Sequence, residues 1–289
     1  MPAGGRPTVR SRRLGTALRQ YRQAAKLDQP QAAEVIASSQ ARISRIESGH
    51  ATPRVIEVRL LLDAYGIADP EVRARLEELA KHPKKRGWWL EYAAHLRPDY
   101  VDHIALEDDA CHIRQWQPVL VPGLIQTAAY AEAIITGGPT SLSAEYMNQL
   151  KTVRKRRQER VAEGGATYTA VIWEAVIEHP LASIAIHRGQ LSALLEVGER
   201  ENVTVQVLPF SAGTLVAAQS AFSAFCFDCE SGIEAVTTDD FTGTSVLESA
   251  SDLAVYAAAF DQLCSSALTP EASAKLIRSK LQALGGVTP

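Results

Sequence analysis

The chain has 289 residues, of which 46% are hydrophobic, enough to fill two cores of ordinary size, and a formal net charge of −3. It holds no run of about eighteen apolar residues, which excludes a membrane-spanning helix, and its basic start lacks the apolar stretch of a secretory signal. The 4 cysteines are too scattered for a disulfide framework, so a cytoplasmic protein with reduced thiols is expected.

The small net charge conceals an asymmetry. Through Arg86 there are 17 Lys+Arg against 9 Asp+Glu, a net of +8; beyond it there are 13 against 24, a net of −11. A basic N-terminal part joined to an acidic C-terminal part points to a nucleic-acid-binding half. Residues 1–13 form a basic arm containing Gly and Pro, with Arg6, Arg10, Arg12 and Arg13. Such an arm is either a solvated tail or one that reaches phosphates or a minor groove.

From Leu14 to about Ala25, the residues Leu14, Ala17, Leu18 and Tyr21 recur at helical spacing. The stretch LDQPQAAEVIASSQARISRIESG, Leu27 to Gly49, then reads as two short helices joined by a tight turn. Asp28 can accept from the Gln31 N–H while the Gln31 amide reaches back, and Pro30 lies in the first turn, where its missing N–H costs nothing. Ala33 falls where the paired helices approach. The turn passes through Ala37 and Ser38, Ser39 caps a second helix from Gln40 to about Glu47, and Gly49 ends it. Ile43 and Ile46 point inward, while Gln40, Ala41, Ser44 and Arg45 point outward. Thr52-Pro53 is predicted to cap and open a helix carrying Val55, Ile56, Leu60, Leu61 and Leu62, ended by Gly66. Asp69-Pro70 opens a fifth helix reaching about Lys81, so the helical domain spans 14–81.

Over Leu14 to Gly66, with ISRIESG followed by TP and an apolar helix, the segment resembles the Xre/Cro (lambdoid repressor-like) helix-turn-helix family. The resemblance implies that Gln40, Ala41 and Arg45 meet base edges and Gln29 and Ser39 phosphates; Ser44 on the same outer face is added to the base contacts, and the cations Arg42, Arg12 and Arg13 to the phosphate contacts. It implies a homodimer on an inverted-repeat operator in double-stranded DNA. The family often has glycine where this chain has Ala37; a positive φ there would cost roughly 1 kcal/mol, so a slightly different turn is expected.

Proline, glycine and a charge run coincide in KHPKKRG, which places a linker at 82–87 and a second domain at 88–289. Trp88, Trp89, Tyr92 and Tyr100 concentrate aromatic area just past it. They either pack the domains together, fill the second core, or form a partner interface. IRQWQPVLVPGLIQTAAYAEAII reads as an extended segment, a turn at Pro122-Gly123 and a helix capped near Thr127. Tyr146 to Ala162 is a basic helix with Arg154, Lys155, Arg156, Arg157 and Arg160, either a solvated face paired to acids or a second DNA contact. TYTAVIWEAV, NVTVQVLPF and SAFSAFCFDC read as strands, with a fourth at Ile233 to Thr237. Helices are predicted at Ile184 to Gly198, Ser251 to Ala267 and Pro270 to Leu284. The fold class expected is therefore a five-helix helix-turn-helix domain plus a larger mixed α/β (α+β) domain around one sheet.

QPVLVPGLIQTAAYAEAI, VTVQVLPFSAG and FDQLCSSALTPEASAKLI make Trp88 to Ile277 similar to the antitoxin-like C-terminal domain of the WhiJ-like actinobacterial regulators. That resemblance implies a small partner protein encoded nearby and no established catalytic chemistry. The alternative is a repressor that senses a small molecule in this domain. Cys226 and Cys229 on one strand alternate to opposite faces, which suits neither zinc nor a redox pair. His103 and Glu107 can share a helix face beside Asp108, Asp109, Cys111 and His112, but two ligands do not make a metal site. No phosphate-binding loop, dinucleotide loop or nucleophile elbow is present, and the loop-like GTLVAAQS and TGTS are weak signals, so neither an enzyme nor a cofactor is expected.

Overall fold

A computed structural model describes residues 7–81, 87–138, 142–213, 220–227, 232–240 and 243–285. The chain divides into two compact units, 1–87 and 88–289.

Unit 1 is five helices: α1 (Val9–Ala24), α2 (Gln29–Val35), α3 (Gln40–Glu47), α4 (Val55–Ala64) and α5 (Pro70–Lys81). One apolar face from each meets in a single core of Leu14, Leu18, Ala33, Ile43, Ile46, Val58, Leu61, Leu62 and Leu76, among others. The first helix starts earlier than the apolar spacing indicated. The Thr8 hydroxyl accepts the Ser11 N–H at 3.1 Å and caps α1, so Arg10, Arg12 and Arg13 stand on a helix rather than in a flexible arm. Arg6 lies outside the described residues. Likewise Thr52-Pro53 does not open α4. Arg54 is its N-cap, because Glu57 accepts the Arg54 backbone N–H at 2.6 Å. Ile56 and Leu60, counted among its apolar residues, are exposed.

Unit 2 is built on a six-stranded sheet of order β3-β2-β1-β4-β5-β6. The strands are β1 (His112–Gln117), β2 (Thr167–Trp173), β3 (Val203–Leu208), β4 (Phe222–Cys226), β5 (Ala235–Asp239) and β6 (Thr244–Leu247). β1, β2 and β3 run parallel, and β4, β5 and β6 continue from β1 antiparallel. The helices are α6 (Pro98–Asp109), α7 (Ala128–Thr136), α8 (Ala144–Gln158), the short α9 (Glu174–Glu178), α10 (Ile184–Val197), α11 (Ala250–Ser266) and α12 (Pro270–Gly285). Strand alternation sorts the core. Trp116, Val171, Leu208, Phe222, Ala224 and Val236 face Phe260 and Leu263 of α11. The opposite face carries Gln115, Tyr168, Ser223, Phe225 and Thr237, and α6 reaches it through His103. Among the described residues no helix is long and apolar enough to cross a membrane.

The aromatic run after the linker is largely core of this unit. Trp89, 5% exposed, packs with Leu96, Ile104 and Val153, flanked by the half-buried Trp88, Tyr92 and Tyr100. A partner has little of Trp89 to bind, because the unit's own helices α6 and α8 already cover it.

Candidate nucleic-acid interface

The α2–α3 pair is fixed locally by capping. Asp28 accepts the Gln31 N–H at 2.8 Å and the Gln31 carbonyl oxygen accepts the Asp28 N–H at 2.8 Å, closing the capping box. At the other end Ala37 N–H donates to Glu34 O and Ser38 N–H to Ala33 O, the doubly bonded stop that needs a left-handed residue between them. That residue is Ala37, at φ +48°. The turn is thus of the glycine type despite the alanine, and it carries the strain of a Cβ in the left-handed region instead of changing shape. Ser39 then caps α3 by accepting the Arg42 N–H at 3.2 Å, and Gly49 at φ +77° ends it.

Orientation of α3 rests on its apolar side and on a buried ion pair. Ile43 and Ile46 are each 1% exposed, which turns Gln40, Ala41, Ser44 and Arg45 outward, all four exposed. Arg22 of α1 holds Glu47 at the end of α3 through Nε–Oε1 at 2.6 Å and Nη2–Oε2 at 3.1 Å, and also donates to Leu27 O. Hydrogen bonding to Glu47 raises the Arg22 pKa against its desolvation. Burial, and then the Glu47 charge, pushes the Tyr65 phenol beside them up to about 12. Gly15 of α1 lies so close that a Cβ would sit 2.3 Å from Ile46 O. Nothing in the periodicity of the sequence announces Arg22, Glu47 or Gly15, because their partners are brought by α1 crossing α3.

The residues expected at phosphates are placed less uniformly. Ser39 is exposed at the start of α3. Gln29 is half-buried and donates to Glu47 at 3.0 Å, which joins α2 to the ion pair. Arg42 is engaged with Glu57 of α4 at 3.0 Å, so it braces α3 against α4. Burial raises the Glu57 pKa, but hydrogen bonds from the Arg54 backbone and from the Arg42 and Arg54 guanidinium groups outweigh it and leave it lowered. Arg12 donates to Pro7 O, and Arg12 and Arg13 are both half-exposed on α1.

In unit 2 the basic helix is paired to acids, Lys151 with Glu132 and Arg156 with Glu91 at the surface, but one of its cations is not solvated. Arg157 is buried and bonded to both Glu107 oxygens and to the Tyr100 hydroxyl, while His103 lies between Glu107 at 3.0 Å and Thr237 at 2.9 Å. Burial raises the Glu107 pKa, but the charges of Arg157 and His103 overcome it and hold the carboxyl down at about 2. Arg154 donates to Gln126 of the PGLIQT turn, and Arg160 donates to the carbonyls of Glu107 and Ala110. His103 and Glu107 share a face of α6, but His112 does not join them: it hydrogen-bonds Thr169, and burial, then Arg114, brings its pKa down to about 4. Among the described residues no three His, Cys, Asp or Glu side chains converge as metal ligands. Cys226 is buried on β4, and Cys229 lies outside the described residues, as does most of GTLVAAQS.

Residues 13–76 match the family model described as "Helix-turn-helix domain", which suggests DNA binding and transcription regulation. No curated protein and no solved structure matches the chain. The second match covers residues 100–279, more than half of the chain. By that match the chain belongs to the family described as "Domain of unknown function (DUF5753)", here joined to a helix-turn-helix domain.

Proposed function

We propose that this protein is a sequence-specific transcription regulator of the Xre type, a repressor that binds an inverted repeat as a homodimer. The observation that carries the reading is the outer face of α3. A helix capped at Ser39 and held from behind by Ile43, Ile46 and Glu47 presents Gln40, Ala41, Ser44 and Arg45 together to solvent. A face of that size enters a major groove about 12 Å wide, and an Arg there can pair bidentately with guanine. The charge of +8 through Arg86 favours approach to the phosphate backbone.

The acidic second unit is the regulatory part in this reading, and its ligand is a small partner protein. Its support is the exposed Phe210, 51% accessible, just past the end of β3 and set edge-on at 5.5 Å to Trp173, the last residue of β2. An aromatic pair with a solvent face is the type of anchor that dominates interface energetics.

The test is binding to operator DNA recovered by selection from a random pool. Arg45→Ala is expected to weaken the selected site by roughly 1–3 kcal/mol, relax preference at one position per half-site, and leave binding to random DNA nearly unchanged. Equal losses on both DNAs would refute a base-reading role for Arg45. A footprint covering one half-site by a monomer would refute the dimer.

A further inference from the structure

The sheet order reverses at β1. The connection from β1 leads to β2 on one side, whereas β4 lies on the other. In open α/β sheets ligands settle beyond the carboxyl ends of the parallel strands, and because β4 runs antiparallel its first residues share that edge. The register pairs Trp116 near the end of β1 with Phe222 at the start of β4, so Phe222 stands at that position.

A cleft of about 580 Å³ opens there, walled by Ser220, Phe222, Val255, Tyr256, Ala258, Ala259 and Gln262. Its size falls within the range of roughly 300–1,000 Å³ that small-molecule sites occupy. Val255, Ala259 and Gln262 recur at four- and three-residue steps along α11, so one helix face forms a whole wall. Phe222 meets Tyr256 edge-on at 5.0 Å and Phe260 at 6.2 Å, which gives the cleft an aromatic floor. Val255, 66% exposed, adds apolar area at the rim of the cleft.

None of the seven lining residues is Asp, Glu, Lys, Arg or His. A charged guest would leave its hydration shell without a counter-charge. An anion would in addition enter a unit of net charge −11. The available complementarity is apolar area, ring edges and faces, and the few hydrogen-bonding groups of Ser220, Tyr256 and Gln262.

We infer that this cleft is a binding site for an uncharged aromatic small molecule, which makes the second unit a chemical sensor in addition to any role as a protein-binding surface. Neither Trp173, Phe210 nor any residue of α3 lines the cleft, so its test is distinct from theirs.

The experiment uses the full chain and N-phenyl-1-naphthylamine, a neutral aromatic fluorophore, with 1-anilinonaphthalene-8-sulfonate as its anionic counterpart. The expected result is saturable one-site binding of the neutral probe, at least tenfold tighter than the anionic one. Ala258→Trp, which fills the cleft from an exposed position on α11, and Val255→Asp, which places a carboxylate at its rim, should each weaken the neutral probe at least tenfold. Phe210→Ala should leave it unchanged. Thermal unfolding of each variant within a few degrees of the parent confirms that the loss is local. Absence of saturable binding, survival of binding in both variants, or equal affinity for the two probes would overturn the inference. An unchanged affinity for operator DNA in Val255→Asp separates this outcome from any failure of the DNA-binding reading.

Discussion

Arg157→Met in the centre of unit 2 should unfold that unit far more readily than an exposed arginine substitution would. Arg157 and Glu107 are 6% and 2% exposed, and Arg157 binds both carboxylate oxygens. Methionine keeps much of the side-chain volume but leaves the Glu107 carboxylate buried without its arginine partner, beside His103. Breaking a buried pair from one side costs roughly 3–5 kcal/mol. The pKa gives an independent figure. At about 1.4 kcal/mol per unit, the fall of the Glu107 carboxyl from 4.5 to about 2 corresponds to roughly 3 kcal/mol. Because the folded pKa is depressed, that stability is present above pH 4.5 and is lost as pH falls from there towards about 2. In Arg157→Met the carboxyl takes up a proton more readily when folded, so this acid-induced loss should vanish or reverse. All 4 tryptophans, at 88, 89, 116 and 173, lie in unit 2, so urea unfolding followed by tryptophan fluorescence reports this unit selectively. Arg157→Met/Glu107→Leu should recover most of the loss, since a buried pair exchanged for apolar groups is often close to neutral. A single variant within about 1 kcal/mol of the parent, or a double variant no better than the single, would refute the reasoning.

Two substitutions in unit 1 test its backbone geometry. Ala37→Gly removes a Cβ from φ +48° and should stabilise unit 1 by up to about 1 kcal/mol, read as helix melting by circular dichroism; a loss of stability would show that the strain is absent. Gly15→Ala raises helix propensity yet drives a Cβ to 2.3 Å from Ile46 O and 2.8 Å from Glu47 O. The close contact should win, with a loss of about 1–3 kcal/mol and weaker operator binding as α3 shifts; a gain in melting temperature would show that α1 and α3 have room.

What the sequence revealed and what it hid divide by range. The capping box of Asp28 and Gln31, the Ser39 and Thr127 caps and the stop at Gly66 rest on groups two to four residues apart, so they are legible from residue order. The α3 face follows from the same local rule once Ile43 and Ile46 are assigned inward. Arg22–Glu47 spans 25 residues and His103–Thr237 spans 134, so the fold alone brings them together. The cross-strand row from Tyr168 through Gln115 to Ser223 depends on β1 pairing with both β2 and β4, and no pattern within one strand encodes that order. β6 escaped notice because TSVL is only four residues long and has no turn residues to bound it beyond the preceding TG. The basic helix α8 misled for a physical reason: Arg157 carries the same charge whether it faces water or a buried carboxylate, and composition does not distinguish the two.

The separation of charge between the units leads to a last prediction. A fragment from Trp88 to Pro289 contains the whole six-stranded sheet and the clusters that cover its two faces. Such a unit has its own core, its described clusters being drawn from residues 88–289, so the fragment should fold and give the tryptophan unfolding transition of the full chain. Its net charge of −11 opposes a polyanion, and the Arg157 and Arg160 donors that a basic helix would offer phosphates are bound to Glu107, Tyr100, His103 and the Glu107 and Ala110 carbonyls. The fragment should therefore not bind operator DNA at any salt concentration at which the full chain does. It should keep whatever the second unit binds, and through apolar contact, so that affinity changes little between low and high salt while DNA binding by the full chain falls steeply through counterion release. The measurement pairs calorimetry of the fragment with a small protein encoded beside it, at two ionic strengths, with anisotropy of the full chain on operator DNA. DNA binding by the fragment would show that charge balance misjudges this unit. Heat with the neutral aromatic probe but none with the neighbouring protein would make the cleft, and not the Phe210 edge, the input of the regulator.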